Sequence, residues 1–194
     1  MKPYQDEVVT VAVQIEGLRY AVERLEQAAS TPDNSVGTYL PLFEALNWIV
    51  ALDDRIGAIW RPEGKKLGDT WRAKVKNGDV IAGLDWVRNV VHHQWADALR
   101  LDPAGHGLYP GEDLFPSDDL FPTHDHAWVW RSINELPDRR ARRRRPKSDP
   151  SDDPDPGRTA YCSRLIGRPA ADTLRDGLES CEWVARLLEP QRLR

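Results

Sequence analysis

The chain has 194 residues, 40% hydrophobic and 30% charged, a balance that suits one soluble domain with a sizeable core or one domain with appendages. Its net charge of −4 argues against a protein that coats nucleic acid non-specifically, while leaving room for local basic patches. Cys162 and Cys181 are too few for a disulfide framework and form no metal-type CxxC, so two free thiols in a reduced cytoplasm are expected.

The opening residues MKPYQDEVVTVAVQ carry acids where a signal peptide has a basic and then an apolar run. No apolar stretch approaches the roughly 20 residues of a membrane span. A soluble, cytoplasmic protein is therefore the expectation.

From Val8 to Ala29 the apolar residues Val8, Val11, Ile15, Leu18, Val22, Leu25 and Ala29 alternate spacings of three and four. That pattern predicts a helix with one buried stripe, ended by Thr31-Pro32-Asp33-Asn34. A second helix is predicted over Tyr39 to Trp60, with Leu42, Leu46, Ile49, Ile56 and Trp60 on one face. Asp53-Asp54-Arg55 interrupts its apolar character. This reads either as a surface turn with local charge pairing or, for Asp53, as a carboxylate that supports a site.

RPEGKKLGD (61–69) is expected as a loop and Trp71 to Lys76 as a short helix. Asn77-Gly78-Asp79 then makes a turn, with Asp79 as N-cap of a third long helix over Val80 to Leu101. Residues 102–160 read as an insertion before the last helix. It holds a tandem DLFP at 113–116 and 119–122, a short strand AWVW (127–130), and a basic then acidic, Pro-rich loop over about 136–158. Such a loop cannot bury enough apolar surface to order itself. The last helix is predicted over Ala170 to Glu189 through Leu174, Leu178, Cys181, Val184 and Leu188, with Pro190 as its stop. The expected fold is all-α, a bundle of four to five helices forming a single domain over 1–194, with a hairpin-like excursion inside the insertion.

The third helix carries Arg88-Asn89-Val90-Val91-His92-His93. With Leu84 at zero and about 100° per residue, Val87, Val91, Trp95 and Ala98 fall within about 60° and form the core stripe. Asn89 and His93 lie on the other side, at about 140° and 180°, with Trp86 and Val90 beside them near 200° and 240°. A helix apolar on two sides is normally covered on both, and another subunit is the natural cover for the second. The bland reading makes the polar group solvated or satisfied edge residues. The functional one makes it a reactive cluster, since a polar group on an apolar side costs stability unless it is hydrogen-bonded.

Arg, a polar residue, three further residues and His is a pattern that resembles the HEPN superfamily, with Asn89 in the polar slot. The resemblance spans about 5–101 and 165–190. It implies a helical bundle that acts as a homodimer, two motifs meeting across the interface in one metal-independent, cofactor-free RNA-cleaving cleft. In that reading His93 is the motif histidine, Arg88 the motif arginine and Asn89 the polar residue. His92 occupies a variable slot and, with Asp53, is a supporting candidate. His93 exchanges a proton near neutral pH while Arg88 neutralises phosphorane oxygens. The implied setting is a bacterial or phage toxin or defence effector, restrained by an antitoxin protein.

The block Arg139, Arg140, Arg142, Arg143, Arg144 and Arg145 reads either as an RNA phosphate grip or as a solvated loop paired with the acids of 149–155. His106, His124, Asp125 and His126 lack the partners that would complete a metal set, so no metal site is expected. No Gly-rich phosphate loop, nucleophile elbow or zinc-protease helix occurs, which excludes several enzyme classes. Two alternatives stand beside the ribonuclease. One is a non-catalytic HEPN-like dimer that binds RNA or nucleotide or acts as an adaptor. The other is a structural bundle whose motif only fastens a dimer.

Overall fold

Helix α1 (Pro3–Ala29) buries Val11, Ile15, Leu18, Val22 and Leu25, five of the residues whose spacing predicts it. Helix α2 (Ser35–Ile59) returns antiparallel to it: Trp48 packs on Gly17 and Arg24 pairs with Glu44. This computed structural model describes residues 3–29, 35–60, 71–94, 98–102, 127–136 and 155–188. The expected loop at 61–69 and stop at Pro190 lie outside them. Helix α3 (Gly78–Gln94) follows a 3-10 turn, Trp71–Lys74, and Asn77, at φ 63, makes the sharp entry into it.

Helix α5 (Ala170–Leu188) closes the bundle. Leu174, Leu178, Cys181, Val184 and Leu188 all point into the core, as their spacing predicts. Its opposite flank pairs with α1 through Arg19–Glu182 and Arg175–Glu26. Leu18, Leu46, Ile49, Leu52, Ile81 and Leu84 fill the centre, each fully removed from water. The fold is all-α with a small two-stranded sheet.

That sheet corrects the expected extent of the third helix, which ends at Gln94 and not at Leu101. Leu99–Asp102 forms strand β1 instead, antiparallel to β2 (Ala127–Trp130), with Leu99 opposite Trp130 and Asp102 opposite Ala127. Leu99 and Leu101, two apart, lie about 200° from each other on a helix but on one face of a strand, so the local spacing itself breaks the helical period there. What the spacing does not give is the partner, which is remote in sequence. The strand expected at AWVW is β2 itself.

A further difference falls inside the expected insertion, where Pro156–Arg164 is a helix, α4. The Asp155 side chain caps it, accepting from the backbone N–H of Gly157 at 3.0 Å and Arg158 at 3.4 Å, and Pro156 follows in the first turn. Only Ala160 and Tyr161 of α4 are buried, which is why no hydrophobic period announces it. Leu136, at the edge of the expected loop, is also buried.

Helix α4 lies on the second apolar side of α3. The Trp86 and Tyr161 rings stand 5.0 Å apart. Close approach is possible because both helices present glycine. A Cβ on Gly83 would meet Leu165 Cδ1 at 2.8 Å, and one on Gly157 would meet Trp86 Cβ at 2.9 Å. Trp86 and Val90 are 8% and 1% exposed within the single chain, so their burial does not call for a second subunit. That removes the physical ground on which the helical wheel predicted a dimer surface there.

The strands pin α4 to α5. Trp130 N–H donates to Arg168 O at 3.1 Å, and its indole donates to Thr173 Oγ1 at 2.7 Å in the interior. Tyr161 Oη donates to Arg131 O at 2.6 Å. Burial raises the Tyr161 pKa well above its ordinary value, which keeps that hydroxyl a donor.

Candidate functional site

The motif lies on the last two turns of α3, where that helix runs antiparallel to α2. Arg88 and Asn89 are half-buried and in contact: Arg88 Nη1 donates to Asn89 Oδ1 at 3.3 Å. Arg88 Nε reaches across to Asn47 Oδ1 on α2 at 3.4 Å. Asn89 Nδ2 donates to the Asp85 carbonyl at 3.0 Å, one turn back along the helix, which fixes the orientation of the amide.

His92 packs edge-on against Phe43 of α2, with ring centroids 5.3 Å apart and planes at 80°. Its Nε2 is buried. His93 continues α3, one turn beyond Asn89, and its side chain lies outside the described residues. The structure thus brings Arg88, Asn89 and His92 to one seam between α2 and α3.

Asp53 has partners other than those expected from Asp53-Asp54-Arg55. Its Oδ1 accepts from Trp71 Nε1 at 3.0 Å and from Arg72 Nε at 2.6 Å, and its Oδ2 accepts from Arg72 Nη2. Arg72 also faces Asp85, with Nη2 to Oδ2 at 3.7 Å. Burial works against the Arg72 charge, but the hydrogen bond and charge of Asp53 outweigh it and leave its pKa raised. Asp85 is raised too, first by burial and then by the neighbouring Asp53 and Asp54 charges, against the pull of Arg72. Among the described residues Asp53 connects to the motif through a relay: Arg72, then the Asp85 carboxylate, and then Asn89 on the Asp85 backbone carbonyl.

Next to this ion pair lies an open depression of about 710 Å³, lined by Asp53, Asp54, Trp60, Arg72 and Asp79 among others. Of its three carboxylates, Asp53 is paired with Arg72 and Asp79 with Arg164. Arg88 and Asn89 do not line it.

Arg139, Arg140 and Arg142 to Arg145 lie outside the described residues, as do His106, His124, Asp125 and His126. Among the described residues no three or more His, Cys, Asp or Glu side chains are grouped so as to hold a metal. No described helix is long and apolar enough to cross a membrane. Cys181 is buried, which pushes its thiol up to about 12 and makes it a core residue and not a nucleophile.

Asn47, Phe43, Arg72 and Asp85 were not singled out in the sequence. Phe43 and Asn47 stand four apart beside the core positions Leu42 and Leu46, a spacing that places them together on one flank of α2. Asp85, four before Asn89, was legible in the same way. No protein-family model, curated protein or solved structure gives a significant match to the chain.

Proposed function

We propose that the chain is a metal-independent endoribonuclease of HEPN type that works as a homodimer. The observation that carries this reading is the Arg88–Asn89 pair, held together at 3.3 Å on α3 with His93 one turn further along the same helix. The all-α bundle agrees with it.

In the proposed reaction an imidazole takes the proton of a ribose 2′-hydroxyl. The oxygen attacks the adjacent phosphorus as the bond to the 5′-oxygen breaks. An imidazolium of the two-motif cleft gives that leaving oxygen its proton, which yields a 2′,3′-cyclic phosphate and a 5′-hydroxyl without metal or cofactor. Arg88 neutralises the charge that builds on the non-bridging oxygens. Asn89 orients the neighbouring groups. We assign the proton transfer to His93, because the His92 ring is packed against Phe43 with its Nε2 buried.

The dimer in this reading uses the seam face around Asn47 and Arg88, since α4 already covers the Trp86 side. A toxin or defence role with an antitoxin partner follows from the resemblance alone. Incubating the protein with a short single-stranded RNA in EDTA and analysing the new ends tests the proposal. Cyclic-phosphate and 5′-hydroxyl ends support it. RNA bound but uncut leaves the non-catalytic dimer as the better reading.

A further inference from the structure

The motif residues all sit on α3, yet part of what holds them comes from α2. Arg88 is held from two sides: Nε by Asn47 Oδ1 at 3.4 Å, across the helix seam, and Nη1 by Asn89 Oδ1 at 3.3 Å, along its own helix. A guanidinium at the end of a long flexible side chain is oriented when acceptors take its donors, and one of these two, the Asn89 amide, is itself held by the Asp85 carbonyl. With Nε and one Nη1 hydrogen occupied among the described residues, the Nη2 edge of the fork is the one left for an oxyanion. Both acceptors are amides. They orient the group without cancelling its charge, which a carboxylate in either place would do.

We propose that Asn47 is a positioning residue for the reaction, fixing Arg88 so that its Nη2 edge meets the phosphate. This rests on the ribonuclease reading of the motif. Asn47 is exposed on α2, so replacing it leaves the core intact.

The test uses the full chain and its Asn47→Ala and Asn47→Asp variants. Two quantities are read: kcat and KM on a short RNA in EDTA, and exchange of the Arg88 Nε–H with water by nitrogen-15 NMR. Asn47→Ala is expected to lower kcat by about ten- to a hundred-fold, through lost orientation. KM should stay within about twofold, because the interaction matters in the transition state. Exchange of the Nε–H should quicken. Asn47→Asp is expected to restore slow exchange but not kcat, since the carboxylate holds the guanidinium and neutralises it.

Unchanged kcat and unchanged exchange in Asn47→Ala overturn the proposal, as does full activity in Asn47→Asp. Wild-type protein that yields no cyclic-phosphate ends overturns the ribonuclease reading instead. The exchange measurement still decides whether Asn47 holds Arg88 in that case: exchange indifferent to Asn47 rejects the positioning role as well.

Discussion

Asp53 and Arg72 form a two-point ion pair between α2 and the 3-10 turn before α3: Nε donates to Oδ1 at 2.6 Å and Nη2 donates to Oδ2. Their side chains are only 16% and 23% exposed, and the Trp71 indole shares the same carboxylate. Asp53→Ala leaves a largely buried guanidinium without its main acceptor, so we expect it to destabilise the fold by about 2–4 kcal/mol. A urea titration followed by tryptophan fluorescence measures this. An unfolding midpoint equal to wild type would show that the pair does not hold the turn.

Asp85 should behave in the opposite way. Burial, with the nearby Asp53 and Asp54 charges, raises its pKa in the fold, so the folded state holds that proton more tightly than the unfolded chain does. Its ionised form therefore costs stability at neutral pH. The cost fades as pH falls through the carboxylate range, and it is gone once Asp85 is protonated in both states. Asp85→Asn is expected to raise Tm at neutral pH and to give no gain at the acid end. Thermal melts across that range check the sign, and a lower Tm at neutral pH would contradict it.

Two glycines give a paired test of the α3–α4 contact. A Cβ on Gly83 meets Leu165 Cδ1 at 2.8 Å and the Tyr161 backbone nitrogen at 3.1 Å. Crowding of about 1–3 kcal/mol outweighs the roughly 1 kcal/mol that alanine gains in a helix, so Gly83→Ala should lose about 1 kcal/mol net. At Gly57 of α2 nothing among the described residues lies within 4 Å of a Cβ. Gly57→Ala should instead stabilise by about 0.5–1 kcal/mol. Calorimetry on both variants compares them, and equal effects would mean that α4 does not pack on Gly83.

Thr173 accepts the buried Trp130 indole at 2.7 Å and donates onward to Ala170 O at 2.9 Å. Thr173→Val keeps the shape and removes the acceptor. The stranded indole N–H should cost about 1–3 kcal/mol. Chemical denaturation reads the loss, and a Thr173→Ser variant, which keeps the hydroxyl, should recover most of it.

Where the sequence spoke through local period, it spoke plainly. Val11, Ile15, Leu18, Val22 and Leu25 of α1, Leu42, Leu46, Ile49 and Ile56 of α2, and the whole expected stripe of α5 are buried, because each helix packs one side into a common core. Trp60, by contrast, follows α2 and is half-buried. Pairing between remote segments left a weaker trace. Leu99 and Leu101 alternate as a strand does, but their partner strand is about thirty residues away, and α4 is held by a cap and by Tyr161 and not by an apolar stripe. Asp155-Pro156 was a readable helix start inside a composition that otherwise suggested a loop. At the site, Arg88 and Asn89 were legible as neighbours. Asn47 was not, because an exposed amide on another helix has no signature until the two helices are placed side by side.

The central claim is that Arg88 serves RNA cleavage on this bundle, and the rate of 2′,3′-cyclic phosphate formation in EDTA tests it most directly. Wild type should form such ends, and Arg88→Ala, with an unchanged helical circular-dichroism spectrum, should form them at least about a hundred-fold more slowly. Equal rates in the two proteins, or no such ends from wild type, would contradict the claim.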